Sequence, residues 1–426
     1  MDAVRPRLAV ALTFPVFPPL GGGQVRVYNL YRGLAKQFDV ELVSLLPAGQ
    51  AMRRTTLAPG LRETCIPKSP EHQAEEDALE REAGTAVTDI AMAELYRLTP
   101  DYIAALREAT RGAHAAVACH PYTFPAIRCA TDVRLWYEAQ DVEATLKAGL
   151  LMGSKTGNEL LAAAKRVERA CCDAAELIWT CSPEDHAEMM GLYGGDPARY
   201  LVVPNGADLE DVTYVSPEQR RTLQRRLRQT DRRTAIFMAS FHPPNIDAAR
   251  QLLTIAARVP EMDFLVLGSV GWAFAREPLA DNVQFAGPVS ARFKAAVLSV
   301  ADVALNPVTT GSGTNLKMLD YLGSGIPVLS TRFGARGLPI SADEHYFSAE
   351  PADMPTVLRH LTRLADRQIE PVVQAARTMV EARLSWTAIA RDLLARLQSA
   401  QISGGAGRRP AFSADRRSGQ VPAPPV

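Results

Sequence analysis

The sequence has no Cys-x-x-Cys pair and no regular cysteine spacing: its six cysteines, Cys65, Cys119, Cys129, Cys171, Cys172 and Cys181, are scattered along 426 residues. That pattern excludes a disulfide-stapled secreted domain and predicts reduced, mostly buried thiols in a cytoplasmic setting. No apolar run reaches the roughly 20 residues a membrane-spanning helix requires. The one apolar run near the start, Leu8 to Phe14, is followed at once by prolines and three glycines, without a small-residue cleavage site. It reads as a buried first strand rather than an export signal. An excess of one charge is also lacking: 47 basic and 47 acidic residues balance, so no overall field draws the chain toward nucleic acid. The seven histidines are dispersed and no Asp-x-Asp follows a strand, so no metal site and no cofactor are expected.

What is present is ordinary globular composition in a chain too long for one core, which predicts two domains. Short β-rich apolar runs alternate with helical patterns, the signature of parallel βαβ units. In the first half the strands are expected at Leu8–Phe14, Val40–Leu46, Ala115–His120, Arg134–Ala139, Leu177–Ser182 and Tyr200–Pro204. A helix over Gln24–Gln37 sets Val27, Leu30, Tyr31 and Leu34 on one face directly after the glycines. Residues from about Pro70 to Arg111 read as helices inserted at the domain's edge. A basic, weakly periodic stretch after Pro204 reads as a linker and a solvated helix. Strands follow at Ala235–Ser240, Phe264–Gly268, Val283–Gly287, Val303–Pro307 and Pro327–Arg332, with helices such as Ile246–Ala257 and Arg292–Ser299 between them. The expected organisation is α/β, with two Rossmann-like doubly wound domains: 1–205, with a helical insertion about 70–111, and 206–400. A glycine-, proline- and arginine-rich tail, 401–426, is expected to be disordered. Trp179, Trp272 and Trp386 read as packing residues.

In open parallel sheets ligands bind beyond the carboxyl ends of strands, so the residues just after each strand carry the functional reading. Gly21, Gly22 and Gly23 follow the first strand and open the first helix, where bare amides can approach a diphosphate; a tight turn is the plainer alternative. The trio is not the dinucleotide fingerprint. Gly311, Ser312, Gly313, Thr314, Asn315, Leu316 and Lys317 form a second loop-to-helix transition, with small residues making an anion nest and Lys317 adding a full charge. Asp320 sits one turn on, where a carboxylate can accept ribose hydroxyls. His120 ends a strand and is placed to bond a sugar hydroxyl or a departing phosphate; a satisfied structural histidine is the equal alternative. Gln140, Asp141, Glu143, Asn205, Ser240 and Asn245 are further acceptor or cleft candidates.

The segment GSGTNLKMLDYLGSGIPVLSTRFGARGL resembles the donor-binding segment of glycosyltransferase family 4, retaining enzymes of GT-B fold. GGGQVRVYNLYRGLA, YEAQDVEATLK, VPNGADL, ASFHPPNIDA and FAGPVSARF follow in the family's order, so the similarity runs to about Trp386. It implies two Rossmann-like domains facing across a cleft, the first binding an acceptor and the second a nucleotide diphosphate sugar. By the same resemblance Asp320 holds the ribose, Gly313 to Leu316 hold the diphosphate and Lys317 is its counter-charge. His120 lies near the donor sugar, and Gly21 to Gly23 close over the diphosphate. His120 and Lys317 are the expected catalytic residues.

The chain departs from the family pattern at Ser312, where a first motif glutamate would fall, at Gln140, often a histidine, and at SFHPPN, which replaces a basic pair. The implied activity is metal-independent, retaining transfer to a carbohydrate, lipid-linked or small-molecule hydroxyl acceptor, in polysaccharide or glycolipid assembly. A nucleotide-sugar epimerase and a catalytically degenerate binding subunit are the other readings. Arg220, Arg221, Arg225, Arg226 and Arg228, with Arg408, Arg409, Arg416 and Arg417, offer weak contact to the inner face of an anionic membrane, against the plainer reading of a solvated helix and tail.

Overall fold

The structure, a computed structural model, describes residues 5–404 apart from 152, 211, 228–231 and 312. Two sheets organise it. The first contains β1 (Arg7–Ala11), β2 (Asp39–Leu46), β3 (Arg53–Ala58), β4 (Leu61–Pro67), β5 (Ala115–Cys119), β6 (Leu135–Glu138), β7 (Leu177–Thr180) and β8 (Tyr200–Val202). Their spatial order is β3-β4-β2-β1-β5-β6-β7-β8, parallel except for β3 against β4. The second contains β9 (Arg233–Met238), β10 (Met262–Leu267), β11 (Val283–Gly287), β12 (Val303–Asn306), β13 (Val328–Ser330) and β14 (Phe347–Ser348), in the order β11-β10-β9-β12-β13-β14.

Central strands are apolar throughout because helices cover both faces; β5, with the sequence AAVAC, is buried at every position. The chain winds outward from β1 on one side and resumes at β5 on the other, which makes β1/β5 a topological switch point. In the second sheet β9/β12 is its counterpart. A crevice opens beyond the strand ends at such points. The loops that leave it are Gly21–Gly23 and His120 in the first domain, and Ser240–Asn245 and the segment from Gly311 to Asn315 in the second.

Several expectations are corrected. The hairpin β3/β4 lies where no strand was expected. β3, RRTTLA, is an edge strand exposed over its first four residues, so it lacks an apolar face to betray it. The helices Pro70–Ala83, Thr88–Leu95 and Pro100–Thr110 are not an edge insertion. Val87, Ile90, Met92, Ile103 and Leu106 join the core beneath Ala9, Val43 and Ala116, and Tyr102 donates to the Leu12 carbonyl at 3.0 Å.

The basic helix Pro217–Leu227 is not fully solvated, which removes part of the expected membrane-facing surface. Arg220 is buried and donates to the carbonyls of Leu298, Ala301 and Ser324, while Arg221 pairs with Asp366. Arg225 and Arg226 are exposed, whereas Arg228 and the four tail arginines lie outside the described residues. Trp272 is 64% exposed rather than packed, beside Phe241.

The C-terminal helix, Trp386–Gly404, returns to the first domain instead of completing the second. Trp386, Ile389, Leu393 and Leu397 pack with Leu30, Tyr31 and Leu34, and a Cβ on Gly33 would lie 2.3 Å from Ala390 Cβ. Residues 401–404 of the expected tail are therefore helical, and 405–426 lie outside the described residues.

Candidate functional site

The helix Gly22–Leu34 carries the first glycine loop. Gln24 holds the loop's shape: its Oε1 accepts from the amides of Leu20 at 3.1 Å and Gly21 at 2.8 Å, and its Nε2 donates to the Pro15 carbonyl. The amides that begin the helix have no intrahelical partner and point out of its end. Deeper in, Arg26 and Tyr31 both bond the buried Glu138 carboxylate, at 2.9 and 2.7 Å, which pins the helix against β6. Arg26 also reaches Asn205 Oδ1 at 3.1 Å, so Asn205 is engaged behind the cleft and stands apart from the other candidates.

Across the cleft the helix Leu316–Ser324 begins at Asn315, and no side chain caps its first amides. Tyr321 anchors it to β9 by accepting from the Met238 amide at 2.7 Å. Lys317 lies over the Phe237 ring at 5.0 Å and donates to Asn245 Oδ1 at 2.9 Å; Asn245 is in turn held by Ser240. Burial, and then the charge of Arg336, push the Lys317 ammonium down to about 7. Arg336, stacked 4.0 Å over Phe333, has Nη2 3.6 Å from where a Cβ on Gly311 would stand. Thr314 Oγ1 is buried and has no hydrogen-bond partner among the described residues.

The two glycine loops meet. A Cβ on Gly22 would lie 3.0 Å from Leu316 Cδ1, and one on Gly23 would lie 2.8 Å from Gln140 Oε1. Gly313, with φ +65°, faces Asp141, whose Oδ1 lies 3.1 Å from the same construction. Gly21–Gly23, Gln140 and Asp141 of the first domain are thereby gathered against Gly313 to Lys317 of the second. Ser312 lies outside the described residues. Asp320 sits one turn along and pairs with Lys294 at 2.9 Å.

His120 lies beside this meeting point in a backbone conformation, φ 75°, that few non-glycine residues adopt. Its Nδ1 is 2.9 Å from Glu143 Oε1, while Tyr122 donates to Glu143 Oε2 at 2.8 Å. Burial opposes a charged imidazole, but the Glu143 bond and charge outweigh it, and the His120 pKa is raised. Burial, with Glu143 next, pushes the Asp141 carboxyl up to about 7.

Sequence reading missed Arg336, Lys294, Gln24 and Asp185. Arg336 was legible as one of two basic residues, with Arg332, in the loop after β13. Asp185 is a cap-region residue whose amide bonds Ser182 Oγ, and its carboxylate lies within electrostatic range of Arg336.

Two Rossmann-like domains with loops converging between them define the GT-B class of architecture, here with Lys317, Arg336 and the uncapped start of the helix Leu316–Ser324 at the cleft. A family model described as glycosyl transferases group 1 matches residues 232–367, and one described as glycosyl transferase 4-like domain matches residues 21–206. The chain belongs to this glycosyltransferase family. D-inositol 3-phosphate glycosyltransferase of Mycobacterium tuberculosis is 26% identical over 271 residues, 60% of this chain and 54% of that protein. The chain thus spans about half the length of the curated relatives it matches. Sucrose-phosphate synthase from Thermosynechococcus elongatus shares the fold at a TM-score of 0.72 and 15% identity, covering 93% of this chain and all of that one. Anabaena HepE, solved in complex with UDP and glucose, follows at a TM-score of 0.66 and 12% identity, over 92% of this chain and 100% of its own. Among the described residues no helix is long and apolar enough to cross a membrane.

Proposed function

We propose that the protein transfers a glycosyl group, with retention of anomeric configuration, from a nucleoside diphosphate sugar to a hydroxyl acceptor. The observation that carries this reading is the convergence of Lys317, Arg336 and the uncapped amides at Gly313 to Leu316 on the loop Gly21–Gly23 of the facing domain. Such a nest suits a diphosphate, and its charge comes from side chains and amides fixed before the reaction. Structural neighbours solved with UDP and with UDP-glucose are in keeping with that donor class.

In the proposed step the bond between the anomeric carbon and the β-phosphate oxygen breaks with its electron pair leaving on the diphosphate. Lys317, Arg336 and the amides stabilise the growing charge. The acceptor oxygen bonds to the anomeric carbon, and its proton passes to the leaving phosphate. With Nδ1–H held by Glu143, His120 has Nε2 free to bond a sugar hydroxyl, and Asp320 receives the ribose. Polysaccharide or glycolipid assembly is the setting the family suggests.

The test is incubation with UDP-, GDP- and ADP-sugars, with and without a panel of hydroxyl acceptors, the product anomer being read by NMR. Acceptor-dependent transfer giving the donor's anomer supports the reading. Conversion of the donor sugar without acceptor points to epimerisation instead, and binding without turnover to a degenerate subunit.

A further inference from the structure

The two segments that join the domains run side by side: the Ala207 amide donates to the Leu384 carbonyl at 2.7 Å, and the Trp386 amide to the Ala207 carbonyl at 3.2 Å. Next to this crossing is a cavity of about 680 Å³, walled by Val203, Leu338, Pro339, Leu384, Ile389 and Leu393. Neither Lys317 nor His120 lines it; Gly337, beside Thr314, is where its wall comes nearest the glycine-loop cleft. Its volume and apolar lining are those of small-molecule sites, which favour domain boundaries.

The rim is charged unequally. Arg396 is matched by Asp392 at 2.8 Å, but Arg383 and Arg391 have no hydrogen-bond or ion-pair partner among the described residues. Glu184 is the remaining acid on the lining, so the balance is positive. An apolar chamber with unmatched guanidinium groups suits a ligand whose body is apolar and whose head is an oxyanion.

We propose that this cavity binds a small amphiphilic anion, its apolar body between Leu338 and Ile389 and its head group on Arg383 and Arg391. A molecule there touches both domains at the strands of chain that connect them, and the site stands independently of the transfer reaction proposed above.

The probe is 1-anilinonaphthalene-8-sulfonate, titrated into the full chain and followed by fluorescence. One saturable site is expected. Ala382→Trp and Ala395→Trp alter exposed positions on the cavity wall, and each should weaken binding at least about tenfold with unchanged melting temperature. The pair Arg383→Glu and Arg391→Glu should weaken the sulfonate to a similar degree while leaving the uncharged N-phenyl-1-naphthylamine unaffected. UDP should not displace the probe. Absence of saturable binding, parental affinity in both tryptophan variants, or displacement by UDP would each overturn the proposal.

Discussion

The two walls of the cleft are built on opposite principles. On the first-domain wall the side chains of His120, Glu143 and Gln140 are held by their neighbours. His120 is held by Glu143, Glu143 also by Tyr122, and Gln140 donates to Cys119 Sγ at 3.1 Å. On the second-domain wall the helix Leu316–Ser324 starts without a side-chain cap, Thr314 Oγ1 has no partner among the described residues, and Lys317 has only neutral hydrogen-bond acceptors. The first wall is fixed before a ligand arrives. The second carries positive potential that an anion would complete; on both walls burial disfavours charge, which depresses the lysine on one side and raises the aspartate on the other.

The largest expected break of that asymmetry is Lys317→Ala. If the lysine carries leaving-group charge, turnover should fall by about 10²–10³, the range for losing one such stabilising group, with little change in melting temperature. Equal transfer rates in mutant and parent would remove Lys317 from the mechanism.

Glu143→Gln tests the opposite wall. Removing the carboxylate deprives the imidazolium of the charge that raises it, so the His120 pKa, followed by NMR titration, should drop. An unmoved titration would show that Glu143 does not set the charge of His120.

The pH dependence of UDP binding sharpens the comparison, because both perturbed groups respond in one direction. Lys317 is near half-protonated at pH 7 when free and regains its proton beside a diphosphate. Asp141 is likewise driven toward its neutral form by an added anion. Binding then takes up protons, and affinity should decline as pH rises from 7 toward 9. Calorimetry in buffers of different ionisation enthalpy measures that uptake, and release of protons would contradict it.

A smaller effect is expected where the loops touch. A Cβ on Gly23 would stand 2.8 Å from Gln140 Oε1, the movable end of a side chain. Gly23→Ala should therefore weaken nucleotide binding only moderately, by about tenfold or less, and Gln140→Ala should restore much of the loss in a double-mutant cycle. Additive effects would mean that the two side chains do not compete for that space. The smallest effect belongs to Asp320→Asn: the pair with Lys294 is about a quarter exposed on each side, so stability should change by no more than about 1 kcal/mol, read by denaturant unfolding.

Much of the fold was legible. The buried strands announced themselves because parallel strands covered on both faces are continuous apolar runs, and β5, Ala115–Cys119, falls within the expected Ala115–His120. β3 was not legible, since an exposed edge strand of arginines and threonines has no apolar period. The return of the C-terminal helix was equally hidden: its apolar face could pack on either domain, and it is the contact with Leu30, Tyr31 and Leu34, with Ala390 close against Gly33, that places it on the first.

The candidate site divides in the same way. Local spacing identifies the glycine loops, Lys317 and His120, because amide nests, helix starts and strand ends are features of a few consecutive residues. Burial depends on what packs around a group, and distance on where remote segments come to rest. Tertiary structure alone therefore decided that Asn205 turns to Arg26, that Arg336 joins Lys317, that Asp141 faces Gly313, and that an apolar chamber forms where the domains are joined.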